Sequence, residues 1–286
     1  MIRVENLQFA YPGASKDTIQ GLNFEITKGE IFGFLGPSGS GKSTTQKILI
    51  GLLKNYRGAI QVMDKEVREW DNSLYEHIGV SFELPNHYLK LTARENLEHF
   101  AGFYKHIEFD PDTVLKWVDL YDDADKLTSD FSKGMKIRLN VARALMHNPK
   151  ILFLDEPTSG LDPVNGKRIK DLVLSLRAKG TTIFVTTHNM TLADELCDRV
   201  AFITNGKIST IDAPEKLKAK YGKRSVRVDY VDNDNLINKE FELDGLGQNQ
   251  DFLSLIQSDQ RIERIHTQET TLDNIFIEVT GKELAQ

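Results

Sequence analysis

The chain has 286 residues, of which 40% are hydrophobic and 27% are charged, and its formal net charge is −6. These values are typical of a globular chain and argue against both a disordered protein and a membrane-resident one. The acidic balance, without a marked basic run, argues against nucleic-acid binding. Because Cys197 is the only cysteine, an internal disulfide and a multi-thiolate metal site are excluded, and a reducing cytoplasmic compartment is expected.

The N-terminal segment, residues 1–9, mixes polar residues with apolar ones. It predicts an edge strand and lacks the unbroken apolar core of a signal peptide. The longest apolar stretches, such as residues 48–53, fall far short of the roughly 18 residues that would indicate a membrane span. Any membrane role is therefore expected to come from a partner subunit.

A glycine-rich loop follows the first strongly apolar segment. Residues 30–35 predict a buried strand, and a helical pattern begins at Lys42 and runs toward Leu53. The loop between them fits the phosphate-loop pattern G-x-x-x-x-G-K-[ST] in the strand-to-helix context that this pattern needs. Its residues are Gly36, Pro37, Ser38, Gly39, Ser40, Gly41, Lys42 and Ser43.

The residue types of this loop suit a nucleoside triphosphate with Mg²⁺. Glycines allow backbone N–H groups to approach phosphate oxygens, and the N-terminus of the helix adds a positive dipole. Lys42 can reach the β- and γ-phosphates, the Ser43 hydroxyl can coordinate Mg²⁺, and Thr44 can reach the α-phosphate. We therefore expect ATP and Mg²⁺ to bind here.

A long helical stretch separates this loop from the next motif. Between about residues 93 and 146 the pattern is helical, and Leu97, Phe100, Ala101 and Tyr104 are spaced to share one apolar face. We expect an inserted helical subdomain over about residues 84–148.

The next motif ends a second apolar run. Residues 151–154 predict a buried parallel strand, which delivers Asp155 and Glu156 at its carboxyl end, as in a Walker B motif. Asp155 is expected to hold Mg²⁺ through water, and Glu156 is expected to polarise the attacking water as general base. A solvated acidic pair after a strand is the alternative interpretation.

Residues 131–135, Phe-Ser-Lys-Gly-Met, precede a further helical pattern. At this point the chain resembles the ATP-binding cassette (ABC) family, whose signature Leu-Ser-Gly-Gly-Gln opens a helix shortly before Walker B. Ser132 and Gly134 match, whereas Phe131, Lys133 and Met135 depart from the signature. The resemblance implies that Ser132 and Gly134 contact the γ-phosphate bound by a second cassette in a head-to-tail dimer.

Three other residues receive roles from the same resemblance. Asp162, in the segment 159–162, is similar in position to the family's dimer-contact loop. His188 follows the strand-like residues 183–187 and is expected to contact the γ-phosphate as a third catalytic residue beside Glu156 and Lys42. Tyr11 lies where the family has an aromatic residue that stacks on adenine. A histidine after a strand and a tyrosine at a turn can also be structural.

Residues 78–83 occupy the position of a strand that ends in glutamine in most cassettes, but here the last residue is Glu83. The resemblance implies that Glu83 ligates Mg²⁺ or its water. With residues 84–88 and 91–97, this segment is similar to the bacterial drug and bacteriocin exporters whose cassette and membrane subunits are separate chains. A surface carboxylate without a role remains the alternative.

The resemblance covers about residues 1–215, which we interpret as the ATP-binding cassette domain. Residues 225–230 and 240–243 alternate like short strands. Leu272, Ile275, Phe276 and Val279 then follow helical spacing, after a capping box predicted between Thr270 and Asp273. We expect residues 216–286 to form a small α+β accessory domain that serves packing or dimer support rather than ligand sensing.

The predicted fold class is α/β, a phosphate-loop NTPase core with a mixed sheet, an inserted helical subdomain and a small C-terminal α+β appendage. The predicted function is ATP-driven export, with a separate membrane-spanning permease as partner and a second cassette in a homodimer or heterodimer. The chain is expected to be peripheral on the cytoplasmic face of the membrane and to bind no nucleic acid.

Other functions stay open at this stage. A soluble cassette ATPase of DNA repair or translation is one, although no second cassette or long coiled-coil insertion is evident. A nucleotide-binding regulator without turnover is another, although Glu156 and His188 are both present. A GTPase or kinase is disfavoured because the chain has no Asn-Lys-x-Asp motif and the signature-like segment would be unexplained.

Overall fold

A computed structural model describes residues 1–222, 225–232, 235–268 and 270–281. The contacts divide the described chain into two compact units, the first ending at Ala213 and the second beginning at Pro214. Within these residues, no helix has the length and apolar character needed to cross a membrane.

The first unit contains two sheets. Its strands are β1 (Ile2–Phe9), β2 (Ile19–Ile26), β3 (Ile31–Leu35), β4 (Arg57–Val62), β5 (Lys65–Glu66), β6 (Ile78–Ser81), β7 (Ile151–Asp155), β8 (Thr182–Thr187), β9 (Arg199–Thr204) and β10 (Lys207–Asp212). The smaller sheet is antiparallel, in the order β2-β1-β4-β5. The larger sheet has the order β10-β9-β3-β8-β7-β6 and is parallel except for β10. The predicted mixed sheet of a phosphate-loop core is therefore confirmed.

Strand β1 lies between β2 and β4, so the predicted edge strand is wrong. Ile2, Val4 and Leu7 are buried, whereas Arg3 and Glu5 are exposed. The polar residues therefore lie on the solvent-facing side of an interior strand, because one face of an antiparallel sheet can be exposed to water even away from its edges.

The parallel strands β3, β7 and β8 are buried along their whole length. Both faces of these strands are covered, which explains why their sequences are nearly continuous apolar runs. Because they are parallel, their carboxyl ends lie at one edge of the sheet, where ligands of open α/β sheets bind. This edge carries the glycine-rich loop, Asp155 and His188.

The helices of the first unit are α1 (Lys42–Leu49), α2 (Ala93–Ala101), α3 (Pro111–Trp117), α4 (Lys133–Leu145), α5 (Pro163–Ala178) and α6 (Met190–Leu196). Helices α2, α3 and α4 lie in the chain between β6 and β7, where the helical insertion was predicted. Helix α1 ends at Leu49 instead of continuing toward Leu53, because the chain leaves the helix at Ile50 and Gly51 adopts a left-handed φ of 77°.

The second unit consists of α7 (Pro214–Tyr221), β11 (Ser225–Asp232), β12 (Asn235–Glu242), α8 (Gln250–Gln257), β13 (Arg261–Gln268) and α9 (Leu272–Thr280). Among its described residues the strands form an antiparallel sheet in the order β12-β11-β13. The predicted α+β character is confirmed, although β13 and α8 were not predicted. The capping box was wrong by one residue, because Thr271 caps α9 by accepting from the Asn274 N–H.

Helix α4 packs directly on the backbone of β6. A Cβ atom at Gly79 would lie 2.2 Å from the Ala144 carbonyl oxygen, so only glycine allows this approach.

Gly79→Ala is expected to lower the free energy of unfolding by about 1–3 kcal/mol, the scale of overpacking a core. Gly166→Ala is the matched control, because a Cβ at this position in α5 would meet no atom within 4 Å. The control should gain up to about 1 kcal/mol from helix propensity. Urea unfolding of both variants measures the difference, and equal stability would contradict the tight packing of α4 on β6.

Candidate active site

The glycine-rich loop connects β3 to α1 in a conformation that other residues would not allow. A Cβ at Gly36 would lie 2.2 Å from the Ile203 carbonyl oxygen, and Gly41 has a φ of 111°. The Ser40 hydroxyl is buried and has no hydrogen-bond partner among the described residues. The loop is thus a tight backbone turn at the start of a helix, which suits an anion.

Lys42 is the first residue of α1 and is 8% exposed. Its ammonium donates to the Gly36 carbonyl over 2.6 Å and to the Pro37 carbonyl over 3.1 Å. Burial lowers the pKa of Lys42, whereas the nearby charges of Glu156 and Asp155 act in the opposite direction. The ammonium is therefore held over the loop, where phosphate oxygens can replace the two carbonyls as acceptors.

Asp155, the last residue of β7, is buried beside hydroxyl groups. It accepts a hydrogen bond from Thr186 and another from Ser43. Burial raises the pKa of Asp155, the two hydrogen bonds oppose this shift, and the charge of Glu83 adds to it. The Asp155, Ser43 and Glu83 oxygens are the donor type that Mg²⁺ prefers.

Glu156 is fixed by three hydrogen bonds. Its carboxylate accepts from the Thr187 hydroxyl at 2.8 Å, from the His188 backbone N–H at 2.9 Å and from His188 Nδ1 at 2.7 Å. Glu156 also has a φ of 49°, a left-handed conformation that costs a non-glycine residue roughly 1–3 kcal/mol. Such strain clusters at active sites, and here the three hydrogen bonds hold the residue in place.

These groups line one cleft of about 340 Å³. Its lining residues are Thr18, Ser38, Gly39, Gly41, Lys42, Ser43, Thr44, Glu83, Asp155, Glu156 and His188. An anion-binding loop, an oxygen donor set for Mg²⁺ and a buried carboxylate base can together hydrolyse a phosphoanhydride. Thr18 was not predicted, because it belongs to no motif and reaches the cleft through long-range packing.

Glu83 lies two residues beyond the end of β6 and is exposed. It lines the cleft and is close enough to Asp155 and Lys42 for its charge to influence the pKa of both. Glu83 is therefore an exposed residue of the cleft, and its role as a ligand of Mg²⁺ stays a prediction.

Tyr11 lies beside α1, the helix that follows the glycine-rich loop. Its hydroxyl forms a 3.1 Å hydrogen bond with the Thr44 hydroxyl, and its ring packs edge-on against Phe9 at 4.9 Å between centroids. The side chain is 39% exposed, so part of its surface is accessible. Its stacking on adenine stays a prediction.

Ser132, Gly134 and Asp162 do not line the cleft. Ser132 caps α4, its hydroxyl accepting from the Met135 N–H at 3.2 Å. The start of α4 packs against the segment 159–162, because a Cβ at Gly134 would lie only 3.1 Å from the Leu161 side chain. Asp162 caps α5 by accepting from two backbone N–H groups at 3.0 Å.

Two segments of the chain match protein families. Residues 19–159 match the family described as "ABC transporter". Residues 224–269 match the "Fluoroquinolone efflux ABC transporter C-terminal domain".

The chain is also similar to two proteins that are named for export or transport. It is 52% identical over 285 residues to a fluoroquinolones export ATP-binding protein of Mycobacterium tuberculosis, covering 99% of this chain and 94% of the relative. It is 39% identical over 198 residues to the bacitracin transport ATP-binding protein of Bacillus licheniformis, covering 68% and 64%.

The first unit has counterparts among solved structures. One is a dimeric ATP-binding cassette in a post-hydrolysis state, bound to ADP and Pi. It is 28% identical with a TM-score of 0.69, and the match covers 74% of this chain and 98% of that one.

Proposed function

Because the chain belongs to the ABC transporter family of ATP-binding proteins, we propose that it is the ATP-hydrolysing subunit of an exporter whose membrane-spanning part is a separate chain. The observation that carries the ATPase assignment is the buried Glu156 carboxylate, fixed by three hydrogen bonds beside the loop that holds Lys42. The resemblance to export proteins along nearly the whole chain supports the exporter and not a soluble cassette of DNA repair or translation.

Each group in the cleft has a proposed task in hydrolysis. Lys42 and the loop N–H groups hold the β- and γ-phosphates and neutralise their charge. Glu156 orients the attacking water and accepts its proton, while His188 contacts the γ-phosphate and keeps Glu156 in place. Mg²⁺, held by Ser43, Asp155 and Glu83, would neutralise charge on the phosphate oxygens when bound.

A second cassette is proposed to complete each site. Ser132 and Gly134 lie at the start of α4, outside this chain's own cleft, and a helix start with free N–H groups is suited to a phosphate. A head-to-tail dimer would bring them to the γ-phosphate of the other subunit, with Asp162 at the dimer contact. The dimeric state of a similar solved cassette supports this arrangement, and either a homodimer or a heterodimer satisfies it.

A groove on the first unit is the proposed contact with the membrane subunit. Its volume is about 730 Å³, and Val80, Phe82, Phe100, Phe103 and Tyr104 contribute to a mainly apolar lining. Phe103 is 67% exposed and adds to this apolar groove, and contiguous exposed apolar surfaces of this kind mark interaction sites. We propose that a segment of the permease occupies this groove, so that the chain is held peripherally on the cytoplasmic face of the membrane.

The proposed cargo is a drug of the fluoroquinolone type. This rests on the names of the relatives and on the match of residues 224–269 to a fluoroquinolone efflux domain. For the second unit we retain packing or dimer support as its proposed role.

Glu156→Gln is expected to keep ATP binding but to lower kcat by roughly 10²–10³, the scale of removing a positioned catalytic group. The amide has nearly the same shape but cannot accept a proton. Phosphate release and nucleotide binding, measured on the same preparation, separate the two effects. The exposed Glu98→Gln is the control and should hydrolyse ATP normally; near-normal turnover by Glu156→Gln would remove Glu156 from the role of base.

Ser132→Arg chains and Lys42→Ala chains are each expected to be inactive alone. A mixed dimer of the two holds one site with an intact loop facing an intact signature, so mixing should restore activity. At most about a quarter of wild-type activity is expected, since half of the dimers are mixed and each has one good site. A mixture that is no more active than its components would contradict the composite site.

Glu83→Gln is expected to retain substantial hydrolysis, because an amide oxygen can still ligate Mg²⁺, whereas Glu83→Ala should weaken Mg²⁺-dependent hydrolysis. The wild type should also depend more on Mg²⁺ for ATP binding than Glu83→Gln does, since its extra carboxylate repels triphosphate unless the metal is bound. ATP affinity with and without Mg²⁺ measures this. If all three forms bind and hydrolyse ATP alike, Glu83 has no part in the site.

A further inference from the structure

A buried polar cluster outside the cleft is centred on Asn140 in α4. The side chain is fully buried, and its amide nitrogen donates to the Ser81 hydroxyl over 3.0 Å and to the Phe82 carbonyl over 2.8 Å. Its amide oxygen accepts from the Arg143 guanidinium at 2.5 Å. Both ends of the amide are thus bound at one junction, between α4 and the end of β6.

Two neighbours reinforce this junction. Arg143 donates to the Asn86 carbonyl over 3.0 Å and lies 4.3 Å over the ring of Phe100. His87 Nε2 lies 2.8 Å from the Lys136 carbonyl oxygen, in the first turn of α4. Burial lowers the pKa of His87 to about 4, so the ring is neutral near pH 7 and its Nε2–H donates to the carbonyl. We term Asn140, Arg143 and His87 the α4 clamp.

The α4 clamp joins two parts of the proposed reaction. The segment that it holds, residues 81–87, carries Glu83 into the cleft beside Asp155. Helix α4, which carries Asn140 and Arg143, begins directly after its N-cap residue, Ser132. The close approach of α4 to the backbone at Gly79 leaves little room for one part to slide past the other.

Stability alone does not explain an asparagine at this position. A fully hydrogen-bonded buried network gains little net stability, so a junction in which the amide and its side-chain partners were all apolar could be about as stable. What a satisfied buried polar network adds is one specific arrangement of the elements that it joins.

We propose that Asn140 is a positioning residue of the ATPase reaction, which couples Glu83 to the first turn of α4 so that the two move together. This rests on the proposed function, in which Glu83 serves the ATP of its own chain and Ser132 serves the ATP of the second cassette. A displacement at one ATP is then transmitted to the other through helix α4 and the hydrogen bonds that the buried Asn140 makes to Ser81 and Phe82.

Steady-state hydrolysis by full-length Asn140→Ala tests the proposal. We expect kcat to fall about 5- to 50-fold, within the usual range of coupling between sites, while the KM for ATP changes less than about twofold because the loop is untouched. Asn96→Ala is the matched control. Asn96 is equally buried, and the hydrogen bonds that its side-chain amide makes within the described chain go to the segment 88–92 and to Thr128. It should lose a similar amount of thermal stability but keep its kcat.

A double-mutant cycle with Glu83→Ala, read by single-turnover hydrolysis, gives the decisive comparison. If Asn140 acts through Glu83, removing Asn140 should cost little more once Glu83 is absent, whereas a general structural loss would add to it. Additive effects, or an equal fall in kcat for Asn96→Ala, would overturn the proposal.

Arg143→Lys replaces Asn140→Ala if the latter does not fold. Lysine keeps the charge over Phe100 but cannot bond both the Asn86 carbonyl and the Asn140 amide in the planar geometry of the guanidinium. The same kcat loss and non-additivity with Glu83→Ala are expected, and their absence would overturn the proposal. A wild-type chain that does not hydrolyse ATP would instead contradict the proposed function, so the two failures are distinguishable.

Discussion

The parallel pairing of β7 with β8 is the constraint on which the candidate active site depends. Its register places Asp155 opposite Thr186, so Glu156, the residue after Asp155, meets Thr187 and His188 at the sheet edge. Strand β3 pairs with the other side of β8, which brings the phosphate loop to the same edge. A slip of one residue in either pairing would turn these side chains to the opposite face and separate base from loop.

Burial then gives this edge its electrostatic character. Desolvation lowers the pKa of Lys42 and raises that of Asp155, so it disfavours the charged form of each. The nearby charges of Glu156 and Asp155 oppose this shift at Lys42, and the hydroxyls of Thr186 and Ser43, together with the charge of Lys42, oppose it at Asp155. A site built in this way holds its dipoles and charges in advance, which is how preorganised groups stabilise charge that develops during a reaction. The left-handed backbone at Glu156 is a further cost, which its own hydrogen bonds from Thr187 and His188 offset.

The sequence predicted the parts of the site that depend on contiguous motifs, and it missed parts that depend on long-range packing. The loop ending in Lys42 and the strand ending in Asp155 are each formed by contiguous residues, so their residue types and spacing were sufficient to predict them. Strand β1 was taken for an edge because its second neighbour, β4, begins nearly fifty residues later, at Arg57. Thr18 belongs to no motif, and only the fold brings it to the cleft. Strand β13 was missed because its mainly polar residues give a weak alternating pattern, with few of its side chains even partly buried.

The start of α4 explains why the departures from the family signature are compatible with an anion site. Lys133 is the first residue of this helix, where a cation opposes the helix dipole and lowers helix stability. Its aliphatic stem lies beside Gly160, 3.4 Å from where a Cβ would stand, so packing on the segment 159–162 compensates in part. The result is a helix start at which the dipole and the ammonium both favour negative charge. None of these groups lines this chain's own cleft, which supports the proposal that they contact the triphosphate bound by a second cassette.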